Sequence, residues 1–93
     1  MVVELELAAV ETGDELHAML AERLGFPGYY GRNWDAFWDC ISDLEQSLTP
    51  IVLRLRGWDE LHLRLPGDAE ILRQCLGELS KVRADIAVEW VSV

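Results

Sequence analysis

The sequence predicts an α/β fold: a two-layer arrangement of a three-stranded parallel sheet, in the order 1-2-3, with about four helices on one face. Its 93 residues allow a single domain, taken as 1–93, because a chain this short has only one small core. Three segments rich in β-branched and aliphatic residues alternate with helical patterns, which indicates parallel strands joined by crossovers. Right-handed crossovers place both pairs of helices on one face. The alternative is a short doubly wound fragment, which needs helices on both faces.

The first half of the chain predicts a strand, a helix, a loop and a second helix. Residues 2–7 alternate in polarity and begin with β-branched side chains, so they form the first predicted strand. Thr12 is expected to cap a helix that ends at Gly25. The range 25–31 is a turn-rich aromatic loop. Asn33 is a favourable cap for the next helix, predicted to end at about Leu44.

The second half predicts two further strands with helices between them. Residues 50–56 form the second predicted strand. Its proline stands at the first position, where the missing backbone N–H donor matters least for the sheet. A short helix or turn is expected at 57–62. Asp68 is expected to cap another helix that runs to about Ser80, and 85–93 is the last predicted strand. The second face of the sheet should be partly open, because the strands place charged side chains there. These are Glu4, Glu6, Arg54, Arg56 and Glu89.

The charge balance excludes some classes of partner. Eight Lys and Arg residues against 17 Asp and Glu give a net charge of −9. Binding a nucleic acid needs a basic surface that displaces counterions, and docking on an anionic membrane also needs basic residues. We therefore expect no nucleic-acid partner and no membrane association. An acidic domain of this size instead suits a basic protein partner.

The compartment is predicted from what the sequence lacks. The first residues are acidic where a signal peptide would be basic, and no apolar run reaches the length of a membrane span. Cys40 and Cys75 match no redox or metal-binding spacing, so we expect two buried thiols. The prediction is a cytoplasmic protein.

The predicted second helix has an acidic face bordered by aromatic side chains. Phe37 and Ile41 lie on the opposite, core-facing side of a helical wheel. The candidate partner-binding residues of this face and of the preceding loop are Tyr29, Tyr30, Trp34, Asp35, Trp38, Asp39, Ser42 and Asp43. Glu78, on the last predicted helix, is added because a neighbouring helix could bring it close. Rigid aromatics beside carboxylates favour a protein interface, although a solvated acidic face and a core position for Trp34 remain alternatives.

The sequence does not predict an enzyme. Paired carboxylates serve glycoside hydrolysis, but a chain this short leaves little room for a substrate cleft. The glycines of 25–31 lack the lysine and the preceding strand of a phosphate loop. His17 and His62 are expected on the surface, with no nucleophile motif near either. The aspartates of the second helix match no calcium loop, so we expect no metal and no cofactor.

The segment from Pro27 to Cys40 closely resembles the barstar family of intracellular ribonuclease inhibitors. The matching residues are Pro27, Tyr29, Tyr30, Gly31, Asn33, Asp35, Ala36, Trp38, Asp39 and Cys40. Weaker similarity extends over most of the chain, at 14–17, 51–55, 67–70 and 84–86. The resemblance implies a barstar-like fold.

The resemblance also implies a mode of action. The second helix and the loop before it would block the active-site cleft of a small basic extracellular ribonuclease, of the guanyl-specific class, in a one-to-one complex. Asp39 would be the central anchor that imitates a substrate phosphate, and Asp35 would pair with a further basic residue. Tyr29 would lie on the catalytic histidine of the enzyme. The other implied contacts are Gly31, Asn33, Ser42 and Glu78.

Three departures from the family pattern concern the choice of partner. Asp43 and Leu44 stand where the family has Gly-Trp, Trp34 replaces an aliphatic residue, and Val82 lies where the family can have a glutamate. The expected target is therefore a relative of barnase, the extracellular ribonuclease that barstar inhibits, rather than barnase itself. The alternative function is an interaction module that binds another basic protein without inhibiting a ribonuclease.

Overall fold

The computed structural model describes residues 1–44 and 49–91. In chain order the elements are β1 (Val2–Glu6), α1 (Gly13–Leu24), α2 (Trp34–Ser42), β2 (Ile51–Arg56), α3 (Trp58–Arg64), α4 (Pro66–Val82) and β3 (Ile86–Val91). The three strands form one parallel sheet in the order β1-β2-β3. The predicted α/β fold, with its strand order and its four helices, is confirmed over this part of the chain.

One face of the sheet packs into the core. Alternate strand residues point to it because side chains along a strand alternate between faces. They include Val3, Leu5, Ile51, Leu53, Leu55 and Ile86, all of them buried. The helical layer supplies the other half of the core, chiefly Leu16, Leu20, Phe37, Ile41, Leu61, Leu72, Leu76 and Leu79. Within that layer α4 contacts β3, α2 and α3, so it lies centrally.

The opposite face of the sheet is open and charged. Arg54 lies in register with Glu4 of β1 and Glu89 of β3 and forms ion pairs with them at 3.1 and 3.4 Å. Arg56 adds a third ion pair, to Glu4, at 3.3 Å. The hydrogen bond from Arg54 is the main reason why the pKa of Glu4 lies below its ordinary value. These pairs are too exposed to add much stability, but they keep the second face hydrophilic.

Several predicted element boundaries are corrected. Asp68 is not a helix cap, because α4 begins at Pro66, a residue well suited to the first helical position, and Asp68 falls in its first turn. The second helix ends at Ser42 rather than near Leu44, which nevertheless stays buried. Of the short helix or turn expected at 57–62, the structure has the helix, which extends to Arg64. The predicted end of the last strand, 92–93, lies outside the described residues.

Candidate functional site

The start of α2 is fixed by contacts from three directions. The Asn33 side-chain oxygen accepts a hydrogen bond from the Ala36 amide at 2.7 Å, so Asn33 is the cap that the sequence predicts. The Trp34 indole donates to a carboxylate oxygen of Asp68, on α4, at 3.0 Å. Arg32 has a positive φ of 52° and forms a 2.9 Å ion pair with Asp14 of α1. The first turn of α2 is thereby oriented by both neighbouring helices.

An acidic face projects from this fixed helix. Asp35, Asp39 and Asp43 follow one another at intervals of four residues and are all exposed. None of the three carboxylates forms an ion pair with a residue in 1–44 or 49–91. Ser42, on the same helix, instead donates to the Trp38 carbonyl at 2.6 Å. The acidic face is therefore presented to solvent, free to meet an external cation.

The loop before α2 adds an exposed aromatic ring to this face. Tyr29 is 88% exposed, which is unusual for a large aromatic side chain. Between Tyr29 and the C-terminal half of α2 lies a groove of about 490 Å³, which we call the acidic groove. Its lining includes Phe26, Tyr29, Asp39, Cys40, Asp43 and Leu44. Two carboxylates and an apolar floor thus share one concave surface.

Tyr30, the next residue, points the other way. Its hydroxyl lies 2.6 Å from Nδ1 of His17, and its ring centroid lies 5.1 Å from that of Phe26. Burial raises the pKa of Tyr30 to about 12, so the phenol stays protonated. His17 is 5% exposed and packs at 4.5 Å from the Trp34 ring, so the prediction of a surface histidine is wrong. The burial of His17 is tolerated because one of its ring nitrogens is hydrogen-bonded to the Tyr30 hydroxyl.

A second groove lies between α2 and α4, and we call it the interhelical groove. Trp38, Gln74, Cys75 and Glu78 line about 270 Å³ of space. The structure therefore brings Glu78 beside the acidic helix, where it also pairs with Lys81 at 3.3 Å. Cys40 and Cys75 are unpaired and only half-buried, less so than predicted, and burial is the main cause of their raised pKa.

The end of α2 is held by a residue that the sequence did not indicate. Arg83 donates to the Ser42 carbonyl at 2.9 Å and forms a two-point pair with Asp85 at 2.9 and 2.7 Å. The guanidinium holds the pKa of Asp85 well below its usual range. Arg83 thus satisfies a carbonyl that the helix end leaves without a partner. No sequence signal joins Arg83 to Ser42, because they are 41 residues apart.

Comparison with known proteins places the chain in a family. Residues 1–91 match the family model described as Barstar (barnase inhibitor). The chain belongs to the Barstar family. The three parallel strands and four helices agree with the Barstar-like fold that the resemblance implied.

A curated relative supports the same assignment over part of the chain. A Bacillus subtilis (strain 168) protein named "Putative ribonuclease inhibitor YrdF" is 53% identical over 55 residues. That segment is 59% of this chain and 45% of the relative, so the match spans less than half of the relative's length.

Within this Barstar-family fold, the predicted site residues fall into three groups. Those that face solvent around α2 are Tyr29, Gly31, Asn33, Asp35, Asp39, Asp43 and Glu78. Tyr30 and Trp34 face inward, toward His17, and Trp38 and Ser42 are half-buried at the border. No group of His, Cys, Asp and Glu in the described ranges could hold a metal ion. No helix of those ranges is long and apolar enough to cross a bilayer.

Proposed function

We propose that this Barstar-family chain inhibits a small basic secreted ribonuclease of the guanyl-specific class. The α2 helix and the loop before it would fill the active-site cleft of the enzyme in a one-to-one complex. The inhibition would need no cofactor. We place it in the cytoplasm of the producing cell, in keeping with two unpaired thiols. The family assignment and the name of the relative support ribonuclease inhibition in general.

The observation on which the proposal rests is the unpaired acidic face of α2 beside Tyr29. A ribonuclease must bind a polyanion, so its cleft presents cationic groups. A row of carboxylates on a helix whose two ends are held by Asn33, Asp68 and Arg83 is already oriented to meet such groups. Preorganisation of this kind lowers the cost of ordering side chains on binding. Complementary charge also accelerates the encounter.

Each predicted residue takes a role that agrees with its position. Asp39, in the middle of the acidic face, would imitate a substrate phosphate, and Asp35 would pair with a further basic group. Tyr29 would cover the catalytic histidine of the enzyme. Gly31, Asn33 and Ser42 would add contacts at the level of the backbone, and Glu78 would reach the same basic surface across the interhelical groove. The supporting side chains would be Tyr30, Trp34 and Trp38, and Asp43 would add a second carboxylate to the acidic groove.

A titration tests the proposal directly. Purified guanyl-specific ribonucleases, barnase among them, are assayed while this protein is added in increments. We expect at least one enzyme to lose activity completely at one equivalent of inhibitor. The matched control is an RNA-cleaving enzyme of similar positive charge from another structural class, which should keep its activity. Retained activity in every guanyl-specific enzyme at micromolar protein, with binding of another basic protein, would favour the interaction-module alternative.

A further inference from the structure

A second concave surface lies at the carboxyl ends of β2 and β3. There Trp58, Arg73 and Trp90 surround a cleft of about 170 Å³, which we call the tryptophan–arginine cleft. Asp59 and Glu60 form part of its rim. In open α/β sheets, the carboxyl ends of the strands are a frequent place for binding sites.

The aromatic walls of this cleft are held rigidly. The Trp58 indole donates to the Ala69 carbonyl at 3.0 Å, and its ring stacks on His62 with centroids 4.8 Å apart. His62 is itself fixed by Glu70 at 3.0 Å. Trp90 meets Trp58 edge to face, at 6.4 Å and 82°. A partner that enters the cleft would therefore find its walls already ordered, which reduces the entropic cost of binding.

Arg73 has no polar partner within the part of the chain that the structure describes. Its guanidinium carbon lies 4.7 Å from the Trp58 ring centroid and 5.2 Å from that of Trp90. The other seven basic side chains each donate to a carboxylate or a backbone carbonyl in those ranges. The guanidinium thus contacts two rings that lie at 82° to each other, and its N–H groups have no hydrogen-bond acceptor among the described residues. That planar fork matches the two oxygens of a carboxylate.

The cleft is separate from the proposed inhibitory surface. Arg73 and Cys75 are two residues apart on α4, so they project about 160° from each other around the helix. Cys75 lines the interhelical groove, which places Arg73 on the opposite flank of α4. The volume is smaller than the roughly 300 Å³ at which small-molecule pockets begin, so it suits a single side chain. Tryptophan and arginine are also the residues most enriched in interface hot spots.

We propose that the tryptophan–arginine cleft is a second protein-binding surface that receives an acidic side chain of a partner. The carboxylate would accept two hydrogen bonds from Arg73, and its aliphatic stem would pack against Trp58 and Trp90. Asp59 and Glu60 would disfavour an acidic neighbour, so the residue beside the carboxylate in the partner is basic. The surface would thus select a glutamate with a lysine next to it in sequence, and it would remain accessible while α2 is occupied.

A peptide titration followed by NMR tests this proposal. The ¹⁵N-labelled protein is titrated with the capped peptide acetyl-Gly-Glu-Lys-Gly-amide and, as its matched control, with acetyl-Gly-Gln-Lys-Gly-amide. We expect saturable shifts at the Arg73 Nε–H and the Trp90 indole, with at least about fivefold tighter binding of the glutamate peptide. Equal binding of the two peptides, or shifts confined to the acidic groove, would overturn the proposal.

Two variants separate recognition from folding. Arg73→Lys keeps the charge but loses the planar fork, so we expect at least about fivefold weaker binding with native thermal unfolding. Asp59→Asn should reduce the preference for the lysine-containing peptide over acetyl-Gly-Glu-Gly-Gly-amide and leave Arg73 in place. Unchanged peptide binding in Arg73→Lys would contradict the proposal. A dimer of the chain would also contradict the proposal if the wild-type protein bound no peptide and sedimentation showed that Arg73→Lys dissociates the dimer. The occupant of the cleft would then be a second copy of the chain.

Discussion

At the scale of single residues, the site combines side chains that face outward with side chains that hold them in position. Tyr29 and Tyr30 are adjacent in sequence, yet Tyr29 is exposed, whereas the Tyr30 hydroxyl is hydrogen-bonded to the buried His17. The same division holds on α2, where Asp39 faces solvent and Trp34 is tied to Asp68. Substitutions at the outward positions should change binding, and substitutions at the inward positions should first change stability.

Asp39→Ala should be the most damaging single truncation for binding to the proposed ribonuclease target. In the proposed complex it would leave several cationic groups of the enzyme buried without a partner, which costs roughly 2–5 kcal/mol, chiefly through a faster off-rate. Asp43→Asn should cost less, because Asp43 is the C-terminal cap of α2 and lies one turn beyond Asp39. Surface plasmon resonance measures both off-rates.

The matched control for Asp39 is Glu11→Ala, which removes the same charge from an exposed loop outside the acidic face. A surface change of this kind should alter the free energies of binding and of unfolding by no more than about 0.5 kcal/mol. If all three variants weakened binding equally, the interaction would depend on net charge and Asp39 would not be a phosphate mimic.

His17 should make the free energy of unfolding depend on pH below about 7. Burial is the main cause that lowers the pKa of His17 below its ordinary value, and the nearby Arg32 also lowers it, although Asp68 and Asp14 oppose this. The unfolded chain therefore binds a proton before the folded protein does. The free energy of unfolding should fall as the pH decreases through about 6.5, and the loss should stop once the folded form also protonates.

Urea denaturation at several pH values measures this effect. His17→Gln should flatten the dependence between pH 7 and 5, whereas His62→Gln, at a partly exposed position, should retain it. A slope that survives His17→Gln would show that other groups determine it.

The sequence predicted the outward residues better than the inward ones. A helical wheel is enough to place Asp35 and Asp39 away from the core, because that placement depends only on helical periodicity. The burial of His17 depends on a hydroxyl 13 residues away, in a loop whose path has no periodicity. The role of Arg83 at the end of α2 likewise depends on a contact that only the folded chain creates.

At the scale of elements, the turns between strands and helices determine how the helical layer sits on the sheet. Gly57, which joins β2 to α3, has a φ of 79°. A Cβ there would lie 2.6 Å from the Ala8 amide nitrogen, so the Gly57 turn lies directly against the backbone that follows β1. Gly25, which ends α1, has a similar φ of 70° but open space around it.

The two glycines therefore form a matched pair. Gly25→Ala should lower the free energy of unfolding by about 1–2 kcal/mol, because the only penalty is that alanine must adopt the left-handed backbone conformation. Gly57→Ala should cost a further 1–3 kcal/mol or so, because backbone atoms must move to relieve the overlap. Chemical denaturation followed by circular dichroism compares them. Equal losses would mean that the Gly57 turn can shift freely.

Element types were predictable where local signals are strong. The cap at Asn33 and the alternation of the strands depend on neighbouring residues, and both are confirmed. The start of α4 was misplaced because Asp68 is a good cap by residue type, while Pro66 begins the helix two residues earlier. Asp68 is instead used in a tertiary contact with Trp34, which no local pattern reveals.

At the scale of the whole molecule, charge is distributed unevenly over the surfaces. On the open face of the sheet, two arginines neutralise two carboxylates: Arg54 pairs with Glu4 and Glu89, and Arg56 pairs with Glu4. Along α2 and its C-terminal cap, the carboxylates of Asp35, Asp39 and Asp43 have no ion pair among the described residues, so three negative charges face the proposed partner. The chain as a whole should therefore attract a cationic enzyme from a distance, while the sheet face contributes little.

Association with the proposed ribonuclease target should consequently slow as salt is added. Attraction between separated charges is screened over about 8–10 Å at physiological ionic strength, so raising NaCl from about 50 to 300 mM should reduce the on-rate by about tenfold or more. The off-rate should change much less, because the charges of the formed complex are desolvated and close together. Stopped-flow fluorescence, using the tryptophans near the acidic face, measures both rates. An on-rate independent of salt would mean that the negative charge serves solubility alone and that recognition begins only at contact.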